Sequence, residues 1–216
     1  MFNLILVDTN KEVVDGFQKY FGKLVGVESI IHGKFEDIME YDAIVSPANS
    51  FGLMDGGIDK ALVEYFGDIL MNNVQQYLLK YFSGMQPVGT AMVVPTEDQE
   101  HPYLIHAPTM NVPRNIVGTD NVFYAFWAIL NAVQTHNRLF LLQSPTVRRI
   151  KHIGKLVVPG LGTLTGGLTG DRAAKQMALA YKLFLNQPTN IKEMGWEYAA
   201  SMDMRIIHAR MYDDEI

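Results

Sequence analysis

Residues Ala43 to Val63, AIVSPANSFGLMDGGIDKALV, constrain the chain most: a short apolar run breaks at a proline into a glycine-rich loop, then resumes at helical spacing. Ala43, Ile44 and Val45 read as a buried strand. Pro47 has no N–H to give a sheet ladder, so the strand stops before it. Asn49 then stands just past the strand's carboxyl end, and Ser50, Gly52, Gly56 and Gly57 free the backbone to turn and to approach a ligand closely. Ile58, Ala61 and Leu62 restart apolar spacing as a helix. Strand, Gly-rich loop and helix start, in that order, predict an open α/β sheet with its ligand crevice at the strand ends, and free N–H groups at the helix start suit a phosphate.

The same alternation runs along the chain. Leu4 to Val7 reads as a strand, and Phe17, Tyr20, Phe21 and Leu24 fall at helical spacing after Asp8-Thr9-Asn10. A strand over Val27 to Ile31 turns at His32-Gly33-Lys34, which puts Asp37 just past a strand end. Gly67 interrupts the helix that follows the opening stretch, and Leu70, Val74, Tyr77, Leu78 and Tyr81 continue a helical stripe to about Phe82. Ala91 to Val94 and Tyr103 to Ile105 read as strands, and Thr109 to Asp120 as a loop long enough to cover a site. A helix starts near Thr119 or Asp120 with Val122, Phe126, Ile129, Leu130 and Val133 on its buried face. The polar connection Gln143 to Lys151 leads to a last strand, Lys155 to Val158.

Pro159 to Gly170, PGLGTLTGGLTG, holds five glycines and opens onto a helix with Ala174, Met177, Ala178, Tyr181 and Leu185 on one face. This is a second cradle. Asp171 is expected to cap that helix, whose start would offer a second cluster of free N–H donors. Asn186 to Ile216 holds one helix around Trp196 before the acidic tail Asp213-Asp214-Glu215.

Composition excludes several chemistries. A chain of 216 residues, 48% hydrophobic and 19% charged, suits one large α/β domain over residues 1–216. With no cysteine there is no disulfide framework, thiolate nucleophile or Cys-ligated zinc, and no His or carboxylate spacing suggests another metal. The formal charge of −5 gives no long-range attraction for a polyanion. No apolar run approaches the ~18 residues of a membrane span, and MFNLILVD lacks the basic start of a secretory leader. The expected setting is the cytoplasm, without a membrane partner.

Neither glycine loop is a familiar dinucleotide or triphosphate cradle. After Gly160 and Gly162 the third position of G-x-G-x-x-G is Thr165, and no G-x-x-x-x-G-K-[ST] occurs. Two loops flanking one crevice suggest a diphosphate-containing ligand gripped from both sides. At this point the chain resembles the macrodomain family, whose members bind ADP-ribose. Glu36-Asp37-Ile38 is similar to that family's G-D-I segment, SPANS at Ser46 to Ser50 to its N-A-A-N segment, and MDGGID at Met54 to Asp59 to its G-G-G-V-D loop. Leu104-Ile105-His106-Ala107 resembles its I-I-H-A strand, and Val158 to Gly167 its second phosphate loop. The likeness runs from about Ile31 to Leu185, with 186–216 as an extension.

The resemblance implies a three-layer α/β/α fold with a mixed sheet, no cofactor, and ADP-ribose or an ADP-ribosylated substrate as partner. Nucleic acid enters only as an ADP-ribosylated target. By it Asp37 accepts from the adenine amino group, with Ile38 beside it. Ala48, Gly56, Gly57 and Ile58 on one loop and Gly162, Thr163, Leu164, Thr165 and Gly166 on the other hold the pyrophosphate and sugars. Asn49 binds the distal ribose, and Asp59 activates water in a hydrolytic member, so Asn49 and Asp59 are the catalytic candidates. Three positions depart from the pattern: Glu36 takes a glycine position, Asp55 replaces the first loop glycine and brings a carboxylate near the phosphates, and Leu164-Thr165 replaces glycine and a branched or aromatic residue. A binding module without chemistry, or an interaction protein with a vestigial site, stands beside the enzyme. Plainer readings also stand: Asn49 supporting a turn, Asp59 or Asp37 stabilising a helix start, His106 in the core and Arg114 in solvent.

Overall fold

The computed structural model describes residues 2–144 and 150–211. Six strands form one sheet in the order β2-β1-β6-β3-β5-β4, where β1 is Asn3–Asp8, β2 Val27–His32, β3 Ala43–Ser46, β4 Met92–Pro95, β5 Tyr103–His106 and β6 Lys155–Val158. All neighbours are parallel except β4 on β5, so the sheet is mixed as expected. Short, continuously apolar strands such as LVV in β6 are what a sheet covered on both faces requires.

The pairing register sorts side chains by face. Ile5 pairs with Val157, Val157 with Ile44, Ile44 with Leu104 and Leu104 with Val94, a row that packs under α2 (Gly57–Phe66) and α3 (Ile69–Phe82). One residue along, Leu4, Leu156, Ala43 and Tyr103 form a row on the other face. There α1 (Lys11–Phe21), α4 (Asn121–Leu142) and α5 (Gly170–Leu185) cover the sheet, giving three layers. The period-2 alternation of strand side chains is the cause. The helix expected around Trp196 is α6 (Trp196–Met211), and it adds Ile206 and Ala209 to the α4/α5 core. Part of the Gln143–Lys151 connection and the Asp213-Asp214-Glu215 tail lie outside the described residues.

Because β6 sits between β1 and β3, three loops leave the sheet side by side at its carboxyl edge: Asp8 to Asn10, Pro159 to Leu168, and Pro47 to Gly56. This brings together segments far apart in sequence. No helix among the described residues is long and apolar enough to cross a membrane.

Candidate ligand-binding crevice

The loop after β3 is wound around Asn49. Its Oδ1 accepts from the N–H groups of Phe51 (3.0 Å) and Leu53 (3.3 Å), while its Nδ2 donates to the Leu53 carbonyl at 2.7 Å. The turn-supporting role is therefore present, and the residue also lines the crevice. The Ser50 N–H donates to the carbonyls of Met110 and Asn111, each at 3.1 Å, which pins the Thr109–Asp120 loop alongside. Further on, the Ile116 N–H donates to the Gly166 carbonyl at 2.9 Å, so this third loop ties the two glycine loops to one frame.

Asp59 lies in the first turn of α2, only 7% exposed, and the Ser46 hydroxyl at the end of β3 donates to its Oδ1 at 2.6 Å. Burial pushes the Asp59 carboxyl up to about 6, the Ser46 hydrogen bond opposes the rise, and the nearby Asp55 carboxylate adds to it. A carboxylate poised close to neutrality can take a proton from water and return it. No side chain caps α2, whose N-cap is Gly56, so the N–H groups of its first turn have no capping partner. Those groups suit an anion.

The loop after β6 is braced from beneath. Asp8 accepts from the Gly160 N–H at 3.0 Å with Oδ2 and from the Asn10 N–H at 2.8 Å with Oδ1, joining this loop to the start of α1. Gly162 has φ +70°, and a Cβ there would stand 2.9 Å from both Ile116 and Val122. Only glycine meets both demands. The N–H groups of Thr163, Leu164, Thr165 and Gly166 make no hydrogen bond among the described residues.

The start of α5 corrects one expectation. Thr169, not Asp171, caps the helix through Oγ1 to the Arg172 N–H at 3.3 Å, and the Gly170 N–H donates to Glu12 Oε1 at 3.0 Å. Asp171 turns to Lys19 and the Tyr20 hydroxyl, each at 2.9 Å. The reason is packing: at Gly170 a Cβ would lie 2.5 Å from the backbone of Glu12 and Val13, so this end of α5 is pressed onto α1. Its Gly170 and Arg172 N–H groups are taken by the protein, and of the two helix starts only α2 opens on the crevice.

Two adjoining cavities fill the space. The smaller, about 160 Å³, is lined by Ala48, Asn49, Asp55, Gly56, Asp59, Met110, Gly162 and Gly166 among others. The larger, about 510 Å³, is bounded by Val7, Asp8, Lys34, Phe35, Glu36, Ala61, Glu64 and Pro159. Both share Gly57, Ile58, Thr163 and Leu164. Leu164, 78% exposed, reaches across the opening, its Cδ2 3.5 Å from where a Cβ on Gly57 would be. They are one crevice narrowed by a single side chain.

Most of the expected residues converge here. Ala48, Asn49, Gly56, Gly57, Ile58, Asp59, Gly162, Thr163, Leu164, Thr165 and Gly166 all line it. Asp37 and Ile38 line neither cavity; Asp37 is exposed, and Glu36 borders the larger one instead. Arg114 is exposed and also outside both linings. Sequence reading missed Ser46 and Asp8, each of which could have been flagged as the last polar residue of a strand. His106 is fully buried with Nδ1 2.6 Å from Gln86 Oε1, and burial lowers its pKa to about 3, so it is a neutral core residue. Among the described residues no group of three or more His, Cys, Asp or Glu is placed to hold a metal ion.

Comparison with known proteins follows the geometry. The family model "Macro domain" matches residues 45–177. An uncharacterized protein of Aeropyrum pernix is 27% identical over 139 residues, a match that covers 64% of this chain and 62% of that protein's own length. Among solved structures, the macrodomain of Mycobacterium tuberculosis DarG superposes with a TM-score of 0.55 at 18% identity, covering 70% of this chain and 88% of that one. A Trypanosoma brucei macrodomain in complex with ADP gives a TM-score of 0.50 at 14% identity, covering 87% of this chain and 59% of that one. At such identities the likeness is one of fold.

Proposed function

The chain belongs to the macro domain family, and from that premise we propose that its crevice binds ADP-ribose or a close derivative and hydrolyses an ADP-ribosyl linkage. The observation that carries this reading is the meeting of unpartnered backbone N–H groups, at the uncapped start of α2 and at residues 163–166, with a buried carboxylate beside them. The pyrophosphate lies between the uncapped start of α2 and residues 162–166, its charge met by fixed N–H dipoles rather than by lysine or arginine. The adenosine occupies the larger cavity and the distal ribose the smaller, against Asn49 and Asp59.

Asp59 then takes a proton from water as the water oxygen bonds to the anomeric carbon and the bond to the leaving group breaks, through an oxocarbenium-like transition state. The proton passes on to the leaving group. Asp55, lining the same cavity, raises the proton affinity of Asp59. Catalysis is tested by incubating the protein with peptides carrying ester-linked, Arg-linked or Ser-linked ADP-ribose and measuring free ADP-ribose. Release that falls at least a hundredfold in Asp59→Ala, with ADP-ribose affinity kept within tenfold, is the expected result. One observation favours a second reading, a binding module: both polar atoms of the Asn49 side chain are engaged by its own loop. Tight ADP-ribose binding with no release from any linkage supports that alternative, and no binding overturns both.

A further inference from the structure

Both charged side chains that line the smaller cavity among the described residues are carboxylates, Asp55 and Asp59. Asp59 is buried and held by the Ser46 hydroxyl, whereas Asp55 is exposed and makes no hydrogen bond or ion pair with the described residues. Its charge still reaches the buried acid, whose proton affinity it raises. With no lysine or arginine on this lining, the protein leaves the charge of the pair uncompensated.

Local geometry sets Asp55 there. Met54, only 2% exposed, is anchored in the core under α2 and α3, so the residues before and after it, Leu53 and Asp55, are turned outward and line the cavity. Pro113 and Leu164 are exposed and line the same cavity, so the opening offers apolar surface as well as an acid.

A group leaving the distal ribose departs through this opening, and the lining discriminates among linkages. A carboxylate released from an ester-linked adduct would appear beside two acids, at a Coulombic cost. A serine hydroxyl is neutral and carries too short a stem to cover the apolar surface. An arginine supplies both complements: a guanidinium that only donates, bonded directly to the anomeric carbon, and an apolar stem behind it. We infer that the substrate is an ADP-ribosylated arginine of a protein, with Asp55 accepting a hydrogen bond from the guanidinium and the stem lying along Leu53, Pro113 and Leu164. The inference rests on the reading of the crevice as an ADP-ribose site and names the linkage that site takes. As the water oxygen bonds to the anomeric carbon, the carbon–nitrogen bond breaks with its electron pair on nitrogen. The guanidine leaves uncharged and takes up the proton that Asp59 removed from water, so one cation enters and one departs. Asp55 is then a specificity-determining residue.

The test is calorimetric titration of two peptides of otherwise identical sequence, one carrying ADP-ribose on arginine and one on serine, into Asp59→Asn and into the double variant Asp59→Asn/Asp55→Asn. Asparagine keeps the shape of the Asp59 side chain but takes no proton, so the peptides stay intact. Asp59→Asn is expected to favour the arginine-linked peptide about fivefold, the upper end for an ion pair at an exposed site, and the double variant should bind the two equally. Equal binding by Asp59→Asn, or a preference that survives Asp55→Asn, overturns the assignment of an arginine linkage while leaving the ADP-ribose site intact. A wild type that does not bind free ADP-ribose overturns the reading of the crevice, and the inference with it.

Discussion

Replacing Asp59 by asparagine should stabilise the protein at neutral and alkaline pH and destabilise it at pH 4. Burial lifts this carboxyl from an ordinary 3.8 to about 6, a difference worth roughly 3 kcal/mol. Below 3.8 the group is protonated in folded and unfolded chains alike and costs nothing. As pH rises from 3.8 through about 6 the unfolded chain ionises first, so stability declines, and above about 6 the folded protein carries the whole cost. Asparagine keeps an acceptor for the Ser46 hydroxyl but buries an amide N–H pair without an assured partner, which returns about 1–2 kcal/mol. The net gain above pH 7 is then about 1–2 kcal/mol, or a rise in Tm of roughly 2–8 °C for a chain of this size. Thermal melts of the two proteins followed by circular dichroism at pH 4, 6 and 8 measure it, because other titrating groups cancel in the difference. A difference in Tm that is the same at all three pH values, or that favours the wild type at pH 8, would refute the assignment of a destabilising buried charge. The logic is that of a functional group held at a stability cost.

Removing the Ser46 hydroxyl takes away the one bond that favours the ionised Asp59, so Ser46→Ala should move its titration upward from about 6 by about one pH unit; carbon-13 NMR of the Asp59 carboxyl reads this directly, and an unchanged or lower midpoint refutes it. Gly162→Ala must place a Cβ at φ +70° against Ile116 and Val122 and should destabilise by about 2–3 kcal/mol, visible as a fall in the urea midpoint at constant m. His106, whose pKa is lowered to about 3 by burial, should show no imidazole proton titration between pH 8 and 5. Its neutral form contributes stability that is complete above about 6.5 and lost as pH falls toward about 3, so a titration near 6.5 contradicts the buried, neutral assignment.

What the sequence made legible is whatever is periodic or broken, and what it hid is phase. Lys155–Val158 is found to the residue because a strand covered on both faces is a bare apolar run bounded by glycine and proline. The break at Gly67 separates α2 from α3, and the two glycine loops fall where the crevice is. By contrast Asp37 and Glu36 are adjacent acids on a three-residue turn, too short to have a period, and the burial of Phe35 decides which one meets the cavity. Thr169 and Asp171 are both good caps two residues apart, and the choice is made by the contact of Gly170 with α1, over 150 positions away in the chain. Ser46 and Asp59 lie on different elements, so neither their 2.6 Å bond nor the raised carboxyl pKa has a local signature. Motif spacing therefore locates the loops that line the crevice, while the protonation state of Asp59 is a property of packing. Asp55 shows the two levels meeting: its position in the loop is a substitution visible in the sequence, yet its effect is felt through Asp59, whose proton affinity it raises across the cavity that both residues line.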